Sequence, residues 1–111
     1  MTKHSPNLNL IFQALSDPTR RAFLARMADG PISVSDLAYP TGFSLPTILR
    51  HLDVLETAAL ITTTKTGRTR MCHARPETLA ATSNWLTEQR ALWEARTERL
   101  EAFVATLMQE K

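Results

Sequence analysis

The chain has 111 residues, 43% hydrophobic and 22% charged, which is enough for one compact core and too little for two. Its net charge of +2 and pI near 9.1 give a mild basic bias, and a single cysteine, Cys72, excludes an intrachain disulfide. No apolar run approaches the roughly 20 residues that span a bilayer, and no secretory signal pattern opens the chain. No membrane partner is therefore expected, and the expected compartment is a reducing cytoplasm.

After a polar start, Leu8, Ile11, Phe12 and Leu15 predict a first short helix. Ser16-Asp17-Pro18-Thr19 stops it and begins a second, with Asp17 as N-cap and Pro18 at the first helical position. Ala22, Phe23, Met27 and Leu24 supply the inward face of that helix, and Gly30-Pro31 ends it. Ser33 to Ala38 reads as a short helix capped by Ser33 or Ser35, broken at Pro40-Thr41-Gly42. The next helix starts at Ser44, an N-cap, with Pro46 in the first turn. Its Ile48, Leu52 and Leu55 form a stripe that must be buried, whereas Ser44, Leu45, Thr47, Arg50 and His51 lie off it. A helix, a tight turn and a second, sharply started helix with an apolar seam is the pattern of a helix-turn-helix.

Leu60 to Thr64 is β-branched and predicts a strand, Thr66-Gly67 a turn, and Thr69 to His73 a returning strand. Lys65, Arg68 and Arg70 crowd the tip of this hairpin, a candidate wing. Arg75-Pro76-Glu77 then opens a last helix running to about Met108, on which Leu79, Leu86, Trp93, Leu100 and Leu107 recur every seven residues. At 1.5 Å per residue it would be about 45 Å long, more than a domain this small covers, so part of its stripe is expected to meet a partner. From Thr41 to Pro76 the basic Arg50, Lys65, Arg68, Arg70 and Arg75 face only Asp53 and Glu56, while acids outnumber bases from Glu77 onward. The middle of the chain attracts anions, and the last third does not.

With these elements in place, the chain resembles the ArsR/SmtB family of bacterial winged-helix repressors from about Ile11 to Leu107. The resemblance is carried by Leu15-Ser16-Asp17-Pro18-Thr19-Arg20-Arg21, by Ser33-Val34-Ser35-Asp36-Leu37-Ala38, by Ser44-Leu45-Pro46 through Arg50-His51-Leu52 and Leu55, and by Ala58-Ala59-Leu60-Ile61. Trp85-Leu86, Trp93-Glu94, Arg96 and Arg99-Leu100-Glu101 are similar to the SdpR-like subgroup, which lacks the cysteine metal site. The resemblance implies a mainly α winged helix-turn-helix with a two-stranded hairpin wing, in which residues 8–76 form the DNA-binding core and wing and residues 77–108 a dimerisation helix. It implies a homodimer on an inverted-repeat operator, with the first and last helices at the interface, here Phe12, Leu79, Leu86, Trp93, Leu100 and Leu107. The metal sensors of the family carry two cysteines where this chain has Ser33 and Ser35, and other members use terminal-helix histidines, of which there is none after Pro76. No metal and no cofactor is expected.

Arg50 and Thr47 are the candidate base readers, Arg50 through a bidentate pair with guanine or, failing that, through phosphate alone. Leu45 and Leu49 are candidates for thymine methyl groups, or for the core. His51 bonds a phosphate or the neighbouring helix, Ser44 is a DNA-binding candidate at the helix start, and Lys65, Arg68 and Arg70 meet the duplex backbone or are simply solvated. Arg20 or Arg21 meets DNA or an acidic neighbour. Trp85 and Trp93 are core, interface or the lining of an effector pocket. Cys72 and His73 are strand neighbours that point to opposite faces, so they make no metal or nucleophile pair, and no catalytic set is present. The reading is a sequence-specific repressor of double-stranded DNA, acting as a homodimer, with an unidentified small-molecule or protein effector. The alternatives are a metal- or redox-responsive sensor using Cys72 or His4, His51 and His73, and a winged-helix adaptor for proteins.

Overall fold

The computed structural model describes residues 7–110, so His4 and the polar start lie outside the described residues. In chain order, α1 is Leu8–Leu15, α2 Pro18–Arg26, β1 Ile32–Ser33, α3 Val34–Ala38, α4 Leu45–Thr57, β2 Ile61–Thr66, β3 Thr69–Ala74 and α5 Pro76–Gln109. Single 3₁₀ turns at Met27–Asp29 and Tyr39–Thr41 join α2 to β1 and α3 to α4.

Four of the helices start on a side-chain cap. Asn7, Asp17, Ser33 and Ser44 accept the backbone N–H of Leu10, Arg20, Asp36 and Thr47 at 3.1, 3.1, 3.0 and 3.4 Å, each meeting a donor that the first turn leaves unpaired. Ser33, and not Ser35, caps α3. Helix α4 ends with Ala59 in the left-handed region, φ 62°; the Ala59 N–H bonds Glu56 O at 2.9 Å and the Leu60 N–H bonds Leu55 O at 3.0 Å. That pair of bonds is a Schellman stop, made here by an alanine where glycine is usual.

Ile11, Phe23, Leu37, Ile48, Leu55, Leu60, Ile61 and Cys72 are fully buried and draw α1, α2, α3, α4 and the sheet around one core. The stripe expected on α4 is buried as a whole, Ile48, Leu52 and Leu55 together. On α1 the buried pair is Ile11 and Ala14, with Phe12 39% exposed; Phe23 of α2 and Met27 just after it are buried and Leu24 packs half-buried against the core, whereas Ala22 is exposed.

The hairpin is part of a three-stranded antiparallel sheet in the order β1-β3-β2, with Ile32 opposite Cys72 and Ser33 opposite Met71. A two-residue strand has no period to read, so the sequence predicts only the hairpin. The turn also differs. Thr66 pairs with Thr69, leaving Gly67-Arg68 as the loop, and Gly67 takes φ 61° at its first position, where a type II′ turn places glycine.

Helix α5 is anchored only by its first turns. Thr78 Oγ1 donates to Ala59 O, Thr82 Oγ1 donates to Thr78 O at 2.9 Å, and these two threonines are its buried residues. Phe12 meets Trp85 edge-on at 5.8 Å, and beyond that point the helix leaves the core. The Cα radius of gyration is 20.5 Å, against about 13 Å for a compact chain of this length. No helix among the described residues is long and apolar enough to cross a membrane.

Candidate nucleic-acid interface

The start of α4, the start of α3 and the wing enclose a cleft of about 440 Å³ lined by Ser33, Val34, Ser35, Leu45, Leu49, Lys65, Arg68, Thr69 and Arg70. It brings Leu45 and Leu49 of α4 and Lys65, Arg68 and Arg70 of the hairpin, separated by up to 25 positions in the chain, to one place, adds Ser33, Val34, Ser35 and Thr69, and leaves Ser44, Thr47, Arg50 and His51 outside its lining. None of the additions is legible in the sequence as part of an interface, since the cleft is built from three segments and follows no single periodicity.

On α4, Leu45 and Leu49 are 56% and 41% exposed and Arg50 is exposed, all off the buried stripe. Thr47 is half-buried and its hydroxyl lies 3.0 Å from Ser44 Oγ, so both hydroxyls of the pair are engaged at the helix start. Tyr39, 89% exposed, and Phe43, 47% exposed, flank this start in the turn before it, and no sequence signal marks them as surface groups.

On the wing, the observed register sets Lys65 directly opposite Arg70, with Arg68 in the loop beyond them. Opposed residues of an antiparallel pair share a face, and like charges there repel. Three cations held together at an exposed tip, with no acid between them in the hairpin, form a site for an anion such as phosphate. Thr63 Oγ1 donates to the Glu56 carboxylate at 3.3 Å, tying the wing to α4.

The other candidates are drawn into the fold. Arg20 donates to Ala14 O at 2.7 Å and Gln13 O at 3.1 Å, and Arg21 to Leu15 O at 2.7 Å, so both arginines satisfy the free carbonyls at the C-terminus of α1 rather than an acidic neighbour. His51 is half-buried, with Nδ1 3.0 Å from Arg20 Nη1. His73 Nε2 lies 2.9 Å from Thr64 Oγ1, while Cys72, its strand neighbour, is fully buried on the other face. Burial pushes the Cys72 thiol up, Glu56 adds to that, and Arg70 acts in the opposite sense.

A two-faced helix started on a serine cap and set beside a cationic hairpin defines a winged helix-turn-helix DNA-binding domain. The comparisons agree with that class. The family described as "Helix-turn-helix domain" matches residues 15–64. The transcriptional repressor SdpR of Bacillus subtilis is 32% identical over 79 residues, covering 71% of this chain and 88% of the repressor. The HTH-type transcriptional regulator Rv2034 of Mycobacterium tuberculosis is 43% identical over 70 residues, covering 63% of this chain and 65% of its own length. The crystal structure of the ArsR family transcriptional regulator RHA00566 superposes with a TM-score of 0.75 at 49% identity, covering 78% of this chain and 90% of that one. The chain belongs to the ArsR/SmtB family of winged helix-turn-helix transcriptional regulators.

Proposed function

We propose that this regulator represses transcription as a homodimer on an inverted-repeat operator, each copy placing the N-terminal end of α4 in a major groove and its wing on the flanking backbone. Successive grooves on one face of a duplex are about 34 Å apart, and a two-fold pair presents two α4 helices to them. The observation that carries the reading is the cleft in which Leu45 and Leu49 of α4 meet Lys65, Arg68 and Arg70 of the wing. Ser44, Leu45, Thr47, Leu49 and Arg50, at the start of α4, are assigned to the groove, and the wing cations to phosphate. Residues 8–76 are assigned to DNA binding and residues 77–108 to dimerisation. The second copy is placed on α1 and α5, where Phe12, Leu79, Leu86, Trp93, Leu100 and Leu107 are all 39% exposed or more.

The signal that releases the operator is assigned to something other than a metal. Ser33, at one of the two positions where metal-sensing relatives carry cysteine, spends its hydroxyl on the cap of α3. A zinc titration that changed operator affinity would overturn this part alone.

Selection of bound fragments from random duplex DNA tests the reading. It predicts a palindromic consensus with half-sites one helical turn apart. A non-palindromic consensus removes the two-fold arrangement, and failure to enrich any duplex in low salt favours a protein adaptor.

A further inference from the structure

One side chain joins three elements behind the recognition helix. Arg20, in the first turn of α2, spends Nε and Nη2 on the last carbonyls of α1, and its Nη1 reaches His51 Nδ1 of α4 at 3.0 Å. A guanidinium carries donors only, so Nδ1 is the acceptor and the ring proton sits on Nε2. The imidazole is wedged between Phe23 of α2, edge-on at 6.4 Å and 84°, and Phe43, at 6.4 Å and 41°, the residue just before the cap of α4. Its sequence neighbour Arg50 is exposed. His51 therefore ties α4 to α2 and to the turn before α4.

We propose that Arg20 and His51 are positioning residues for DNA binding: the neutral imidazole accepts from Arg20 and holds α4 on the α1–α2 corner, and protonation of His51 breaks that hold and weakens binding. A doubly protonated ring has no acceptor at Nδ1 and sets two cations at hydrogen-bond distance. The charged groups facing the ring are Arg20 of α2 and Asp17 at its N-cap; α4 itself contributes Arg50 and Asp53 nearby in sequence, and α1 has no titratable residue. The inference rests on the DNA-binding reading above, and its sign separates it from a direct contact. A histidine touching phosphate binds better when protonated, whereas a histidine accepting from Arg20 binds worse.

The test uses the full chain and a fluorescein-labelled duplex carrying the sequence enriched from random DNA, with affinity measured at about pH 8 and at about pH 5.5. Wild type is expected to lose about tenfold in affinity on acidification, the scale of one hydrogen bond to a charged group. His51→Asn keeps an acceptor near Nδ1 that cannot be protonated, and its affinity ratio between the two pH values is expected to fall to about one. His73→Asn is expected to keep the wild-type drop, with circular dichroism checking that each protein is folded at both pH values. A rise in affinity on acidification, or a drop that His51→Asn retains in full, overturns the proposal. If no duplex binds even at the higher pH, it is the DNA-binding reading that fails. Long-range ¹⁵N spectra of the free protein then still decide the geometry, because a His51 ring protonated on Nδ1 at the higher pH contradicts it without any DNA.

Discussion

Asp17 shows how much one capping carboxylate does in a chain with short helices. Desolvation pushes its carboxyl up, but the Arg20 N–H, the neighbouring His51 and Arg20 and the Thr19 N–H outweigh it and hold it below the ordinary 3.8. A carboxyl lowered by folding contributes stability above its unfolded pKa and loses it as pH falls through the folded one. Asp17→Ala is therefore expected to cost about 1 kcal/mol near neutrality, and urea titrations repeated at decreasing pH should show the gap to wild type closing below the unfolded value. Cys72 gives the converse case. Fully buried and with its thiol pushed up, it is expected to react with a thiol-specific dye only after denaturation, and rapid labelling of the native protein would reinstate a redox role for it. The Asp17 and Ser44 caps are legible in the sequence because an Asn, Asp, Ser or Thr followed by proline within two residues marks a helix start by itself. The Arg20–His51 bond is not legible there. It joins residues 31 positions apart, and nothing local distinguishes an arginine that binds carbonyls from one that meets DNA.

On the proposed reading, the elements of the interface divide the work between reading and holding. Arg50, exposed on α4, is expected to read a base: Arg50→Ala should weaken selected DNA by about 1–3 kcal/mol and relax preference at one position. Arg68, in the wing loop, is expected to touch phosphate: Arg68→Ala should weaken all duplexes alike and flatten the log–log salt dependence by about one unit. Affinity measured at several salt concentrations on the consensus and on a scrambled duplex separates the two, and an unchanged affinity in both variants would favour the adaptor. The existence of every helix and of the hairpin can be read from period and punctuation, since Ile48, Leu52 and Leu55 bury one face of α4 as their spacing requires. Register cannot be read in this way. Placing the turn at Gly67-Arg68 instead of Thr66-Gly67 changes the residue opposite Lys65 from Arg68 to Arg70, and only pairing in three dimensions decides between them.

The whole molecule is a compact head with a long exposed helix, 76 Å in its greatest extent. Its 34-residue α5 carries Trp93, Leu100 and Phe103 at 59–63% exposure, an apolar stripe that has no cover within the described residues. Water contact along such a stripe is unfavourable by about 25 cal/mol per Å², so a second copy pairing along α5 and α1 would be stabilised by burying it. Arg96, 5.7 Å over the Trp93 ring, is carried on that side of the helix as well. Leu100→Glu sets a carboxylate in the stripe and is expected to turn the protein monomeric at micromolar concentration by light scattering, with the helical content of the head preserved. The helix itself is legible in the sequence, because Leu79, Leu86, Trp93, Leu100 and Leu107 keep one heptad position through five successive repeats. What the repeat does not convey is that so little of α5 rests on the head, since that depends on Thr78 and Thr82 being its buried residues. On the proposed function, two identical chains joined through these helices bind one duplex together. Sedimentation velocity of the wild-type protein on a labelled duplex carrying the selected palindrome measures it: two chains per duplex, bound without a populated one-chain complex, is the predicted result, and a single chain bound with undiminished affinity would contradict it.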